Sequence, residues 1–199
     1  MIIKKTPEEI EKMRAAGVAV AGCLKELSAR IEPGKTTTLD IDVWAEELIK
    51  KTGGVASFKN YRGYPNTVCV AVNEEVVHGI PNSRVLKPGD ILGIDLGIII
   101  DGWHGDAAVT VPVGTVSSEA QKLLKVTKDA LFKGIEQARP GRRVSDIGNA
   151  IQSYVEKLGY SVVRDLVGHG IGRSLHEDPH VPNFGQPGKG ARLEEGMTL

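Results

Sequence analysis

Nothing in the overall charge of this 199-residue chain draws it toward a polyanion, since Lys and Arg number 25, Asp and Glu also number 25, and the formal net charge is zero. Nucleic acid and anionic membrane surfaces are therefore not expected partners. Cysteine is almost absent: Cys23 and Cys69 fall in different segments and cannot build a disulfide framework, which fits a reduced, cytoplasmic setting. No apolar run is long enough to cross a bilayer, and Met1-Ile2-Ile3-Lys4-Lys5 lacks the apolar core of a signal peptide. The chain does have a hydrophobic content of 41%, at a length that suits one domain spanning 1–199 with a sizeable core.

Chemistry concentrates in Val167-Gly168-His169-Gly170-Ile171-Gly172-Arg173-Ser174-Leu175-His176-Glu177-Asp178-Pro179, which sets two histidines into a glycine-rich loop closed by a proline. Glycines at 168, 170 and 172 permit positive φ and close approach to another surface, so the two imidazoles can be aimed into one space. A plain connection would account for the glycines but not for the histidines between them. The segment lacks the lysine and helix-opening context of a phosphate loop, and its spacing fails the dinucleotide fingerprint.

Carboxylates that could serve the same space lie upstream. Ile91-Leu92-Gly93-Ile94-Asp95-Leu96-Gly97-Ile98-Ile99-Ile100 reads as a buried strand interrupted by one acid. A polar turn, Asp101-Gly102-Trp103-His104-Gly105, then leads into a second strand, Asp106 to Val113, which returns antiparallel with Asp106 at its start. On this reading His104 is exposed in the turn and has no role. A carboxylate buried without a counter-charge costs several kcal/mol, and neither strand carries Lys or Arg, so a metal ion is the natural partner. Asp95, Asp106 and His169 offer oxygen and nitrogen donors without thiolate, a set suited to Mn, Fe, Co or Zn in an open, reactive site. A carboxylate bridging two ions would leave each enough charge to polarise a substrate.

Together with Asn73-Glu74-Glu75-Val76-Val77-His78-Gly79-Ile80-Pro81 and Gly93-Ile94-Asp95, these segments resemble the bacterial-type (type I) methionine aminopeptidases, in order and spacing, over 6–199. The resemblance implies an α+β pita-bread fold, with pseudo-twofold helix-helix-strand halves around an antiparallel sheet. It implies two divalent ions (Co, Mn, Fe or Zn), ligated by Asp95, Asp106 as the bridge, and His169. His78 and His176 would be the catalytic histidines that contact substrate, and Tyr61, Tyr64, Cys69 and Leu175 would line the pocket for the methionine side chain. The implied reaction is removal of N-terminal methionine from nascent polypeptides and short peptides by a metal-bridged hydroxide. The implied protein is a monomer that works near the ribosome.

The chain departs from the family in one respect. Family members carry two further metal-binding glutamates beyond the second histidine, whereas this sequence ends at Glu194-Glu195-Gly196-Met197-Thr198-Leu199, where Glu194 and Glu195 read as part of a solvated turn. The resemblance therefore implies a chain shortened at its C-terminus, with an incomplete second half, weak metal binding and weak activity. An internal repeat points the same way. Thr6-Pro7-Glu8-Glu9 is a capping box that opens a helix with Ile10, Met13, Gly17, Val20, Leu24, Leu27 and Ile31 on one stripe, ended by Pro33-Gly34; a helix over 38–51 follows. Ser118 to Gln121 repeats the capping signature, a stripe of Leu123, Leu124, Val126, Ala130, Leu131 and Ile135 ends at Pro140-Gly141, and a helix over 145–158 follows. The two prolines are 107 residues apart, which puts counterparts of Asp95 and Asp106 near positions 202 and 213, beyond Leu199. Two other functions fit the same residues: a non-catalytic peptide- or protein-binding module on this scaffold, and a proline-directed dipeptidase of the same fold.

Overall fold

The computed structural model describes all of residues 1–199. Contacts divide the chain into two compact units, Glu11–Gln121 and a second made of Met1–Ile10 with Lys122–Leu199.

In the first unit, helix α1 (Pro7–Arg30, shared between the units) and helix α2 (Thr38–Lys51) cover an antiparallel sheet of β1 (Val55–Ala56), β2 (Val68–Val72), β3 (Ile91–Ile100) and β4 (Trp103–Pro112). Strand β3 is central: β2 and β1 pair along one edge and β4 along the other. Thr37 caps α2 by accepting the Asp40 N–H at 3.1 Å, while the Asp40 carboxylate accepts the Thr37 N–H at 2.7 Å. Asp42, one turn on, accepts the Thr67 and Val68 N–H groups at 2.7 and 3.1 Å and so fixes where β2 begins.

Period-2 geometry sorts the side chains of β3. Leu92, Ile94, Leu96 and Ile98 are fully buried in one cluster with Val20, Leu24 and Leu27 of α1 and Ile41, Ala45 and Leu48 of α2. Asp95 therefore stands on the opposite face from the core, flanked by Gly93 and Gly97. The β3–β4 turn is also shorter than the sequence suggests. It consists of Asp101 and Gly102 alone, both at positive φ (51° and 78°), as a two-residue hairpin turn matched to strand twist requires. Trp103, His104 and Gly105 thus belong to β4, and Asp106 sits inside that strand. Gly105 lets β4 meet α1 closely, since a Cβ there would lie 2.7 Å from the Ala16 carbonyl carbon.

The second unit holds most of α3 (Ser118–Ile135), all of α4 (Val144–Lys157) and a hairpin of β5 (Gly168–Gly170) with β6 (Glu177–Val181). The capping box expected at Thr6 is present, with Thr6 N–H donating to Glu9 and Glu9 N–H to Thr6. That at Ser118 is displaced by one residue: Ser117 accepts the Ala120 N–H at 3.1 Å, and two adjacent serines offered the same local chemistry. Of the apolar stripe expected on α3, Val126 and Ala130 are buried, whereas Leu123, Leu131 and Ile135 are exposed. Helical periodicity identified the helix but not the face that packs. Glu194 is exposed, as the turn reading expects, and pairs with Lys4.

Candidate functional site

In the first unit the site is a matter of strand parity. Cys69 stands directly opposite Asp95, and Asp95 opposite Ala108, which is two residues from Asp106 on the same face of β4. Cys69, Asp95 and Asp106 therefore share one face of the sheet. Asp95 and Asp106 are diagonal neighbours across β3 and β4, an arrangement that spaces Cα atoms by about 7–8 Å and carboxylates by less when the side chains lean together. Small residues border the pair: Gly93 and Gly97 on β3, Ala71 on β2 and Ala108 on β4, with Ser57 and Phe58 packed over Gly97, where a Cβ would lie 2.7 and 2.8 Å from their side chains.

The electrostatics of this face favour a cation. Burial pushes the Cys69 thiol up to about 11; hydrogen bonding with Tyr64 opposes that, and the negative charges of Asp95 and Asp106 add to it. The thiol is thus neutral and packs as a small hydrophobe beside the acids. Burial also raises the Tyr64 hydroxyl, which lies 2.8 Å from the Val68 carbonyl and 2.9 Å from that of Gly79 and donates to one of them. Two half-buried carboxylates with no Lys or Arg on either strand fit the hard, oxygen-liganded part of a divalent metal site.

His78 lies at the rim of this unit, exposed, at φ 59°, a conformation few residues other than glycine adopt. Its loop is pinned on both sides. Val70 N–H donates to the Gly79 carbonyl at 3.1 Å, and a Cβ on Gly79 would fall 2.0 Å from the Val70 oxygen, so only glycine fits there. Upstream, Glu75 accepts the Val72 N–H at 2.9 Å and pairs with Arg84 at 2.8 Å. Tyr61 opens a short 3₁₀ turn, Tyr61–Gly63, in the segment leading to β2.

In the second unit the glycine-histidine segment is a hairpin rather than a loop, with His169 opposite His180 and an irregular register after His169. Gly168, Gly170 and Gly172 do not adopt the positive φ expected of them. They serve close approach instead: a Cβ on Gly170 would lie 2.1 Å from the Asp178 carbonyl oxygen, and one on Gly172 2.5 Å from the Glu177 carboxylate. The turn brings the two histidines together, with ring centroids 4.3 Å apart and planes tilted by 47°. His169 is half-buried, with Nδ1 2.9 Å from the Gly170 carbonyl. Leu175, between them in sequence, is buried.

The matching family model is metallopeptidase family M24, which covers residues 11–199. Methionine aminopeptidase 1 of Bacillus subtilis (strain 168) is 54% identical over the whole of this chain, which spans 80% of that protein. The chain belongs to the methionine aminopeptidases of family M24. A crystal structure of methionine aminopeptidase from Rickettsia prowazekii superposes with a TM-score of 0.97 at 44% identity, covering 99% of this chain and 79% of that one. Prolidase from Pyrococcus furiosus matches with a TM-score of 0.84 at 23% identity, covering 98% of this chain and 55% of that one, and so shares the fold alone. The pita-bread fold and the hydrolase class expected from the sequence thus hold, and the family is one of metallopeptidases. No helix is long and apolar enough to cross a membrane.

Sequence reasoning missed His104. It was assigned to an exposed turn, yet it lies in β4 two residues before Asp106, on the same face, half-buried with Nδ1 3.0 Å from the Ser57 hydroxyl. The signal was present as the spacing of His104 and Asp106, which alternation along a strand places on one side.

Proposed function

We propose that this chain removes the N-terminal methionine of peptides and nascent chains, and that Asp95, Asp106 and His169 are its contributions to a two-metal centre. The observation that carries this reading is the placement of both half-buried acids on one face of β3 and β4, opposite the hydrophobic core. A bound divalent pair supplies Lewis acidity and an activated water. The side chains of the chain do the rest. Asp95 within β3 and Asp106 within β4 would supply carboxylate ligands to those ions. His176 donates a hydrogen bond to the scissile carbonyl oxygen, where charge develops in the transition state, and His78 contacts the adjacent peptide nitrogen. Tyr61, Tyr64, Cys69 and Leu175 form the apolar wall for an unbranched side chain; the neutral Cys69 thiol and Tyr64 hydroxyl give it no counter-charge for a charged first residue. Two glutamates further along the family's pattern complete the ligand set. We place the enzyme in the cytoplasm, as a monomer acting near the ribosome, with Co, Mn, Fe or Zn as the metal.

The test measures Co²⁺ binding, and methionine release from a methionyl peptide, for the 199-residue chain and for a form extended to carry both glutamates. The extended form should release methionine in a chelator-sensitive way, with methionyl peptides far preferred to lysyl ones. The glutamate acting as general base should account for about 100- to 10,000-fold in rate between the two forms. Asp106→Ala should abolish binding and release in the extended form. Unchanged Co²⁺ binding by Asp106→Ala would overturn the ligand assignment.

A further inference from the structure

Three ion pairs join the first five residues to the segment that follows the hairpin turn, and they differ in kind. The Met1 amino group with Asp178, and Lys4 with Glu194, are exposed pairs of the sort that contributes little. Lys5 with Glu177 is buried: the side chains are 2% and 9% exposed, and Nζ lies 2.5 Å from the carboxylate. Lysine is almost never buried without a partner, and a buried pair costs desolvation that an apolar pair would avoid. Its retention here calls for something an apolar contact could not do.

That something is directional. The Glu177 carboxylate accepts the Ser174 N–H at 3.2 Å and also hydrogen-bonds the Arg173 backbone. One acid thus gathers two main-chain donors of the turn that precedes it, while Lys5 holds the acid from the other side. Lys5 is itself fixed, with Nζ donating to the Ile3 carbonyl at 3.1 Å and its N–H to the Gly196 carbonyl at 2.7 Å. Gly172 clears the slot, since a Cβ there would lie 2.5 Å from Glu177 Oε1 and 2.6 Å from Lys5 Cε. His176 is one residue before Glu177, and its ring lies tilted against that of His169.

We propose that the Lys5–Glu177 ion pair is a positioning device, which locks the turn over residues 172–177 and through it holds the His176 ring against His169. Lys5 and Glu177 are positioning residues and touch no substrate. The catalytic value of this aiming rests on the role proposed above for His176, but the aiming itself does not.

The experiment follows backbone amide exchange and the ring-to-ring nuclear Overhauser contact of His169 and His176 in the metal-free 199-residue chain. In Lys5→Met/Glu177→Gln, which removes both charges with little change of shape, the amides of Arg173 and Ser174 should exchange at least about tenfold faster. The ring contact should weaken, while exchange at Ile94 and Leu96 in β3 should stay within about twofold of the parent. Lys5→Arg should restore the parent behaviour. Unchanged exchange at Arg173 and Ser174, or an equal rise in β3, would overturn the proposal. Should the double variant not fold, Lys5→Gln, which keeps a donor in the slot, is read by the same criteria. No substrate enters the measurement, so failure here leaves the role of His176 in hydrolysis standing, and failure of that role leaves this result standing.

Discussion

The turn into α2 and the turn into α4 are built from the same hydrogen bonds. Gly34 N–H donates to Leu86, Leu86 N–H to Thr36 and Thr38 N–H to Arg84; in the other unit Gly141 N–H donates to Leu193, Leu193 N–H to Arg142 and Val144 N–H to Ala191. Asp40 accepts the Thr37 N–H and Asp146 that of Arg143, and both helices run for 14 residues. The two frames differ in what they pack against. The first helix pair lies on a four-stranded sheet and shares one continuous core with it. The second has a two-stranded hairpin and two small clusters, around Val126, Ala130 and Val155 and around Val144, Ile147 and Leu193, with Leu131, Phe132 and Ile135 of α3 exposed. Local hydrogen bonding sets the path of each helix, and the sheet supplies the core. The chemistry differs as well: the sheet-backed unit presents Asp95 and Asp106 together with His78 and His104, and the hairpin-backed unit presents the paired imidazoles of His169 and His176.

The largest expected effect tests the core half of this contrast. Leu96→Ala, in the middle of β3, should cost about 2–5 kcal/mol in chemical denaturation, because rigid neighbours on α1 and α2 cannot collapse into the space. Leu131→Ala on α3 should change stability by no more than about 0.5 kcal/mol. Comparable losses at both positions would erase the distinction.

A smaller effect sharpens the comparison of the frames. Thr37→Ala removes the hydroxyl that accepts the Asp40 N–H and should cost about 1 kcal/mol. Arg143 holds the equivalent place with a side chain that cannot accept a hydrogen bond, so any loss in Arg143→Ala should be well below that and trace to its 2.7 Å bond to the Gly190 carbonyl. Thermal melts of the two variants decide it.

Much of this was legible in the sequence, for local reasons. The helix expected over 38–51 is α2, and Asp95 and Asp106 were found as acids in otherwise apolar strands. Parity along β3 was masked because Ile91 and Ile99 put apolar side chains on the same face as Asp95, so the run looked buried on both sides. His104 was lost because Asp101-Gly102-Trp103-His104-Gly105 has turn-like composition, although only its first two residues turn. Of the two reasons the sequence offered for Gly168, Gly170 and Gly172, close approach holds and positive φ does not, since a glycine in sequence does not distinguish them. The Lys5–Glu177 pair left no local signal, because its partners are 172 residues apart and each alone reads as an ordinary surface charge.

The metal is proposed to bind on the Asp95 and Asp106 face of the sheet. Titration of the isotope-labelled chain with Mn²⁺ tests it directly, because a paramagnetic ion broadens the signals of nearby nuclei. Signals of Cys69, Asp95, Asp106 and Ala108 should broaden first, those of the core-facing Ile94 and Val70 side chains later, and Asp106→Ala should remove the preference. Broadening that begins elsewhere, or that is the same in Asp106→Ala, would contradict it.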